Sequence, residues 1–297
     1  MARSFSSRQV LWADALLLLA AALWGFGFVA QRLGMETLGP FTYNAARFAL
    51  GTLAMLALAR VAFGRGTWSN HMAHRAGWVW GLWAGVWLFA AASAQQIGLV
   101  TTTAGKAGLI TGLYTLWVYL LDRFRGRASG WRPILAVVLA LTGLFILNRT
   151  DEPLWRWNVG DAWVLLGSWL WAVHVHWIDR AMQRVHPAPF VVAQFGFTAL
   201  ASLLVALAWE NPSWPALQNT WGPILYGGLI SVAAAFTLQA VGQRIAPPTH
   251  AAILLSMEAP FSVLGGWLFL QEMPPPVALI GGGMMIAAVL LTIPKGK

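Results

Sequence analysis

Cysteine is absent from the 297 residues, and charged side chains make up only 10% of them. The first absence excludes disulfides and thiolate chemistry. The second excludes an ordinary soluble domain, in which about a quarter of the residues are charged. The chain is instead 58% hydrophobic with a mean hydropathy of +0.63. This composition predicts an all-α integral membrane protein.

Apolar runs of roughly 20 residues, the length that crosses a bilayer, recur along the whole chain. Short segments rich in charge, proline or glycine separate them, and the runs do not alternate every second residue as barrel strands do. The sequence predicts ten transmembrane helices, at about 12–31, 40–60, 76–98, 103–121, 131–148, 160–179, 188–209, 221–243, 249–270 and 275–293.

Lysine and arginine fall mostly on one side of these spans. If the N-terminus is cytoplasmic, the cytoplasmic segments hold fourteen of them and the outer segments hold three, Arg32, Arg149 and Arg156. The positive-inside rule then places both termini in the cytoplasm, in a bacterial inner membrane. This bias explains the net charge of +9 without a nucleic-acid partner. Cleavage of the first span as a signal peptide is the alternative, but its later counterpart argues for retention.

That counterpart belongs to an internal repeat. Residues 14–40 align without gaps to 161–187, pairing Asp14 with Asp161 and Trp24 with Trp171. A weaker match pairs 94–121 with 240–267. Five spans per half place the second half upside down, so we expect two five-helix inverted repeats, 1–148 and 149–297, around a central cavity. Such folds bind substrate between the halves.

Ionisable residues within the spans are candidates for that site, because burial in a membrane is costly. They are Arg47, Lys106, Glu258 and His174. Glu258 either lines the cavity or forms a structural ion pair with Arg47 or Lys106. Lys106 either attracts a carboxylate or extends to the membrane surface. His174 and His176 are two residues apart, a spacing that does not bring helical side chains to one face, so a shared metal is not expected.

Aromatic and helix-breaking residues complete the candidates. Trp24 and Trp171 are expected in the cavity because the repeat makes them equivalent. A stripe in the third span, with Trp83, Trp87 and Gln95, faces the cavity or lipid, and the glycines of its other face, Gly77, Gly81 and Gly85, are predicted to pack against a helix. The predicted hinge residues are Tyr114, Pro260 and Gly265.

Enzyme signatures are missing. The stretch "TTTAGKAG" departs from a phosphate-binding loop at Val100 and Ala107. The sequence also has no H-E-x-x-H, G-x-S-x-G or Cys/His metal set. The sequence therefore predicts a protein that is not an enzyme and needs no cofactor or metal.

Three stretches, "LWGFGFVAQR" (23–32), "GPFTYNAARFALG" (39–51) and "SMEAPFSVLGGWLFLQE" (256–272), resemble the EamA family of the drug/metabolite transporter superfamily. Two departures are Ala259, between Glu258 and Pro260, and Tyr114, where the family pattern has a proline. The chain looks most like the YddG-type amino-acid exporters. The resemblance implies a secondary transporter exporting amino acids or related metabolites by alternating access.

Two alternatives stay open at this stage. The first is that the chain transports organic cations, drugs or nucleotide-sugars, as other members of the same superfamily do. A membrane enzyme or lipid-handling scaffold is a different class, and it has no need of an inverted repeat. The expected partners are a small-molecule substrate and the lipid bilayer, with the chain a monomer or weak homo-oligomer.

Overall fold

The computed structural model describes residues 6–72, 74–102, 104–127, 130–147, 157–271, 273–274 and 276–292. Side chains are not described at 59, 61–72, 104–106 and 270. Within these ranges all regular structure is helical, which confirms the predicted all-α class.

The helices follow one another with short connections. Their bounds are α1 Ser7–Met35, α2 Pro40–Met72, α3 Arg75–Leu99, α4 Ala104–Gly112, α5 Tyr114–Phe124, α6 Trp131–Leu147, α7 Val159–Met182, α8 Pro187–Trp209, α9 Trp214–Asn219, α10 Trp221–Leu225, a π-helical segment Tyr226–Ala235, α11 Phe236–Gly242, α12 Pro248–Leu255, α13 Glu258–Leu270 and α14 Val277–Thr292.

Several of these helices have the length and composition of membrane-spanning segments. Within the described residues, five helical segments are long and apolar enough to cross a bilayer: Ser7–Met35, Arg75–Leu99, Pro187–Trp209, Trp221–Gly242 and Pro248–Phe269. Two shorter helices, α6 and α14, are also apolar. The first two predicted spans were drawn too short, because α1 and α2 continue beyond their apolar stretches. Ser6 and Gln9 form a capping box that starts α1 outside its apolar run.

The predicted ninth span is not one continuous helix. It is divided into α12 and α13 by a turn at Ser256 and Met257. Pro260 has no N–H to donate to the Ser256 carbonyl four residues earlier, and that carbonyl accepts from Ala259 N at 3.1 Å instead. The Ser256 hydroxyl in turn donates to the Ile253 carbonyl at 2.8 Å. The break therefore satisfies the backbone groups that proline disturbs.

The predicted fourth span is also divided, into α4 and α5 around Leu113. Tyr114 stands here where the family pattern has a proline, so this division has a cause other than proline. The helix is locally tighter here, because Leu113 N donates to the Ile110 carbonyl three residues earlier, at 3.1 Å, and not to the carbonyl four residues earlier. Gly112, a poor helix former, directly precedes the break. Below, α4 with α5 is called the fourth segment and α12 with α13 the ninth segment.

Polar contacts define two ends of the helix bundle. At end A, Arg127 Nη1 donates to Asp179 Oδ2 at 2.8 Å. At end B, the Thr102 hydroxyl donates to Asp161 Oδ1 at 2.9 Å. Asp161 and Asp179 lie in the first and last turns of α7, so the two contacts are separated by the length of that helix.

Packing between the helices joins the first half of the chain to the second. The closest pairings are α2 with α8, α3 with α7 and α8, and α6 with α14. The predicted glycine face of α3 is confirmed: an added Cβ at Gly77, Gly81 or Gly85 would meet Pro189, Phe190 or Phe197 of α8. Small residues let two helix backbones approach closely in a membrane. The interface between the halves, where the cavity lies, is therefore tightly packed.

Candidate functional site

A cavity lies between the two halves of the chain. It encloses about 620 Å³ of empty space, part of it open to solvent. Small-molecule sites commonly have a mostly apolar lining with a few polar groups. The lining residues are Trp24, Phe28, Gln31, Arg47, Gln95, Thr111, Tyr114, Trp171, Val175, Ser231, Phe236, Gln239, Leu255 and Glu258.

Three aromatic rings form an apolar wall of this cavity. Phe236 lies between the repeat-related tryptophans, with its ring centroid 4.7 Å from Trp24 and 6.1 Å from Trp171. The first contact is edge-on and the second is stacked, both favourable aromatic geometries. An apolar or aromatic substrate side chain would find a rigid surface here.

Both tryptophans are fixed by hydrogen bonds to the opposite half of the chain. Trp24 Nε1 donates to the Ser231 carbonyl at 2.9 Å. Trp171 Nε1 donates to Gln95 Oε1 at 2.8 Å. A buried indole N–H needs such an acceptor, and these bonds hold each ring in one orientation.

The Ser231 carbonyl comes from an unusual piece of helix. Ser231 lies within the π-helical segment Tyr226–Ala235. Such segments are rare and frequently occur at functional sites. The chain there supplies both a cavity-lining residue and the acceptor for Trp24.

Arg47 supplies the positive group of the cavity. Its side chain is only 5% exposed, and Nε donates to Asn44 Oδ1 at 3.0 Å. The guanidinium carbon lies 4.9 Å from the ring centroid of Phe48 and 5.5 Å from that of Tyr43. These contacts stabilise the cation through the ring faces.

Glu258 supplies the negative group. It is the first residue of α13, just after the break in the ninth segment. Among the residues whose side chains are described, its carboxylate forms no hydrogen bond or ion pair, and Arg47 therefore does not neutralise it. The close approach of α1 fixes its backbone, since a Cβ added at Gly25 would lie 2.6 Å from the Glu258 carbonyl oxygen.

The structure brings together half of the residues that the sequence suggested. Those that line the cavity are Trp24, Arg47, Gln95, Tyr114, Trp171 and Glu258. The two hinge candidates of the ninth segment lie in α13, where Gly265 packs beside Phe26 and Val29 of α1 and Pro260 follows the break. The side chain of Lys106 lies outside the described residues.

Three of the suggested residues, Trp83, Trp87 and His174, lie away from the cavity lining. Trp83 is 55% exposed on the outer surface, 6.4 Å from Trp177 between ring centroids. Trp87 packs beside Ala91, Ala94 and Leu170. The stripe therefore turns away from the cavity, and of its predicted members only Gln95 reaches the lining.

His174 lies behind the aromatic wall. It is fully buried, its Nε2 lies 3.1 Å from Gln194 Oε1, and its ring centroid is 5.8 Å from that of Trp171. Its position supports the ring of Trp171. Within the described residues, no group of three His, Cys, Asp or Glu side chains could hold a metal ion.

Several lining residues were missed by sequence reasoning. Phe28 and Gln31 follow Trp24 at helical spacing on one face of α1, a signal that could have identified them. Val175 follows Trp171 by four residues and Leu255 precedes Glu258 by three, so the same signal applies to them. Phe236 has no such signal, because apolar residues in apolar helices are indistinguishable by composition.

Comparison with known proteins agrees with this arrangement. The EamA-like transporter family matches residues 11–149 and again residues 158–293. The uncharacterised transporter YwfM of Bacillus subtilis is 31% identical over 290 residues, covering 93% of this chain and 91% of that protein. A probable terminal-alkyne amino-acid exporter of Streptantibioticus cattleyicolor is 24% identical over 287 residues, covering 95% and 93%.

A solved crystal structure shares the fold. It aligns with a TM-score of 0.77 at 21% identity and covers 94% of this chain and 95% of that one. The family matches and the 31% identical transporter cover nearly the whole sequence, and the apolar helices suit a membrane. The protein is thus a membrane transporter for a small-molecule substrate and not an enzyme, and it belongs to the EamA-like transporter family, within the drug/metabolite transporter superfamily.

Proposed function

We propose that this transporter exports amino acids, and that Arg47 and Glu258 bind the two charged groups of the substrate. The observation that carries the proposal is that both side chains line one cavity without forming an ion pair with each other. A free amino acid presents a carboxylate and an ammonium, which a guanidinium and a carboxylate recognise through charge-assisted hydrogen bonds.

The apolar wall sets the preferred side chain in this proposal. Trp24, Phe236 and Trp171 form a surface suited to aromatic and hydrophobic substrates. The related protein of Streptantibioticus cattleyicolor, named as a probable exporter of an amino acid, is in keeping with this substrate class.

The same proposal includes ten membrane-spanning segments in two inverted five-helix repeats, 1–148 and 149–297. Three observations support it. The family matches each half separately. The repeat-related Trp24 and Trp171 each bond to the opposite half. The contacts of α3 with α7 and α8 have counterparts in those of the π-helical segment with α1 and α2.

The proposal includes alternating access, which the packing of the two divided segments supports. Near end A, α5 packs against α12. Toward end B, α4 and α13 pack against α7 and α1, which α5 and α12 also contact, and the described residues show no close pairing of α4 with α13. This asymmetry supports a cavity closed at end A and accessible from end B. In an inverted repeat, the state that is open at end A and closed at end B forms when the two halves exchange their conformations.

The orientation is part of the proposal and has its own test. The excess of arginine and lysine at end A predicts that end A and both termini are cytoplasmic in a bacterial inner membrane. Because the chain has no cysteine, Arg65→Cys and Glu152→Cys each create a single thiol. An impermeant reagent added to intact cells should label position 152 and leave position 65 unlabelled. The reverse result would invert the topology.

Transport in proteoliposomes tests the substrate. We compare a labelled hydrophobic amino acid, the amine formed by its decarboxylation and the acid lacking its amino group. The wild-type protein should move the amino acid fastest, since only that compound satisfies both charged residues. Glu258→Gln should slow amino-acid transport by about tenfold to a hundredfold, because a hydrogen bond to a charged group contributes about 1.5–3 kcal/mol.

The controls separate binding from folding. Glu36→Gln removes a carboxylate that is exposed at the end of α1 and should leave transport unchanged. Equal rates for the amino acid in the wild-type protein and in well-folded Glu258→Gln would refute the role of Glu258. Faster transport of the amine than of the amino acid would favour the second candidate, an exporter of organic cations, to which an unpaired Glu258 is equally suited.

A further inference from the structure

A buried carboxylate at end A joins the fourth and ninth segments. Asp122, near the end of α5, is 2% exposed. Its Oδ2 accepts a hydrogen bond from the Thr249 backbone N–H at 3.1 Å and another from the Thr249 hydroxyl at 2.6 Å. These bonds connect the two halves of the chain at the place where α5 packs against α12.

Asp122 occupies the role of a helix cap. The residue before α12 is Pro247, whose side chain makes no capping bond. The first N–H groups of a helix need acceptors from outside the helix, and a side-chain oxygen usually supplies one. Here the acceptor for Thr249 comes from the opposite half, so the start of α12 is completed only while the segments remain together.

The carboxylate depends strongly on this contact. Its second oxygen, Oδ1, has no hydrogen-bond partner among the described residues. Among the described side chains, the nearest basic atom to Oδ1 is His176 Nδ1 at 3.8 Å, beyond hydrogen-bonding distance. Thr249 therefore supplies both hydrogen bonds that offset the burial of Asp122.

Among the residues that the structure describes, this contact has no equivalent at end B. The register that pairs Ala94 with Ala240 pairs Asp122 with Leu268, an exposed apolar residue of α13. A neighbouring polar contact behaves differently: Asp14 bonds His250 at 2.7 Å, and its repeat-equivalent Asp161 bonds Thr102 at the other end. The two repeat-related aspartates, Asp14 and Asp161, thus make a polar contact at each end, so these contacts do not distinguish the closed end from the open end.

We propose that Asp122 is a latch, a positioning residue that holds the cavity closed at end A by capping α12 from the opposite half. Opening at end A requires α5 and α12 to separate and both bonds from Thr249 to break. The latch rests on the alternating access proposed above, and it does not depend on the identity of the substrate.

Thiol labelling from each face of the membrane measures this latch. Ser231→Cys places one thiol on the cavity wall of the cysteine-free chain. Reconstituted vesicles are treated with a charged, impermeant thiol reagent on one face or the other, without substrate. With Asp122 intact, labelling should be faster from the end B face. Adding Asp122→Ala should raise the ratio of end A to end B labelling at least about tenfold, because two bonds to a charged acceptor are lost.

Two more conservative substitutions should raise the labelling ratio by smaller amounts. Thr249→Val removes only the hydroxyl donor and should raise the ratio by about threefold, a fraction of the strength of one charge-assisted bond. Asp122→Asn keeps a carbonyl acceptor and should fall between wild type and Asp122→Ala. Both substitutions retain side-chain volume, so they carry the test if Asp122→Ala does not fold.

The matched control is Asp14→Asn, which alters a buried carboxylate that contacts the same helix, α12, from the same half. It should leave the labelling ratio within about twofold of wild type. An unchanged ratio in folded Asp122 variants, or an equal rise in Asp14→Asn, would overturn the latch. Because no substrate is used, a shifted ratio would support the latch even if amino acids proved not to be transported.

Discussion

The fourth and ninth segments are each divided into two helices, yet they carry different chemistry. In the fourth segment, Tyr114 follows the break, and its hydroxyl donates to the Ala252 carbonyl of α12 at 3.2 Å. In the ninth, Glu258 follows the break, and its carboxylate has no partner among the described side chains. The register that pairs Ala94 with Ala240 places Gly112 opposite Glu258. The first half therefore has no acid where the second half has one.

This difference separates two properties of the transporter. Each half has one broken helix, and residues of both line the cavity. In our proposal, the side chains that differ between the halves decide which charges face the ligand and which end is held closed. Arg47 illustrates the same rule, since the register of Asp14 and Asp161 pairs it with Gln194, which bonds His174 behind the aromatic wall. Each of the following substitutions tests one part of this comparison.

The largest effect is expected at the crossing of α1 with the ninth segment. Gly25→Ala places a methyl group 2.6 Å from the Glu258 carbonyl oxygen and 2.9 Å from the Phe261 backbone. Backbone atoms cannot rotate away, so the helices must separate, at a cost of about 1–3 kcal/mol or more. We expect a strong loss of folded protein in detergent, measured by size-exclusion yield and thermal midpoint.

Gly282→Ala is the matched control, because a Cβ there meets nothing within 4 Å. Its yield and midpoint should equal those of the wild type. The repeat-equivalent of Gly25 is Ala172, so the corresponding crossing in the other half already accepts a methyl group. Normal stability of Gly25→Ala would show that the two crossings are interchangeable.

Arg47→Gln is expected to have the next largest effect. It gives the first half the residue that its repeat partner, Gln194, already has. Loss of the cation should slow amino-acid transport by about tenfold or more, whereas Arg47→Lys should retain part of the activity through its charge. Initial rates in proteoliposomes, corrected for reconstituted protein, measure this. Equal rates for Gln and Lys variants would remove Arg47 from substrate binding.

The two tryptophans should differ in how much they tolerate. Trp24→Phe removes the bond that ties α1 to the Ser231 carbonyl of the π-helical segment, a backbone group whose orientation is fixed by its helix. Trp171→Phe leaves only the Gln95 side chain, which can turn toward water in the cavity. We expect transport to fall about fivefold for Trp24→Phe and about twofold for Trp171→Phe, consistent with a bond difference of about 0.5–1 kcal/mol.

Measuring transport rates together with folded yield would show whether Trp24→Phe loses more transport than Trp171→Phe. Identical losses would mean that the repeat symmetry extends to the energies of these bonds. Full activity in both variants would show that the aromatic ring, without its N–H group, is sufficient.

The smallest effect is expected for Tyr114→Phe. The lost hydroxyl donates to Ala252 O, which also accepts a bond from Ser256 N at 2.9 Å. The carbonyl therefore keeps a partner, and the expected destabilisation is about 0.5–1.5 kcal/mol. A thermal midpoint within a few degrees of the wild type would agree. A collapse in yield would show that the break in the fourth segment depends on this hydroxyl.

Sequence reasoning identified part of the site for reasons that can be traced. Arg47 and Glu258 were recognisable because charged residues within membrane spans are rare and costly. Trp24 and Trp171 were recognisable because the repeat aligned them. Trp83 was suggested by its helical stripe, yet it lies 55% exposed on the outer surface. A helical stripe shows that residues share a face, but it does not show which neighbour that face meets.

What the sequence determined by itself was the membrane class, the all-helical structure and the residues whose charge is anomalous at that depth. The tertiary structure decided the division of the fourth segment, the place of Phe236 between the tryptophans and the bond from Thr249 to Asp122. The physical reason is the solvent. Lipid chains are about as apolar as a protein interior, so an apolar helix face has the same composition whether it meets lipid, another helix or the wall of a cavity.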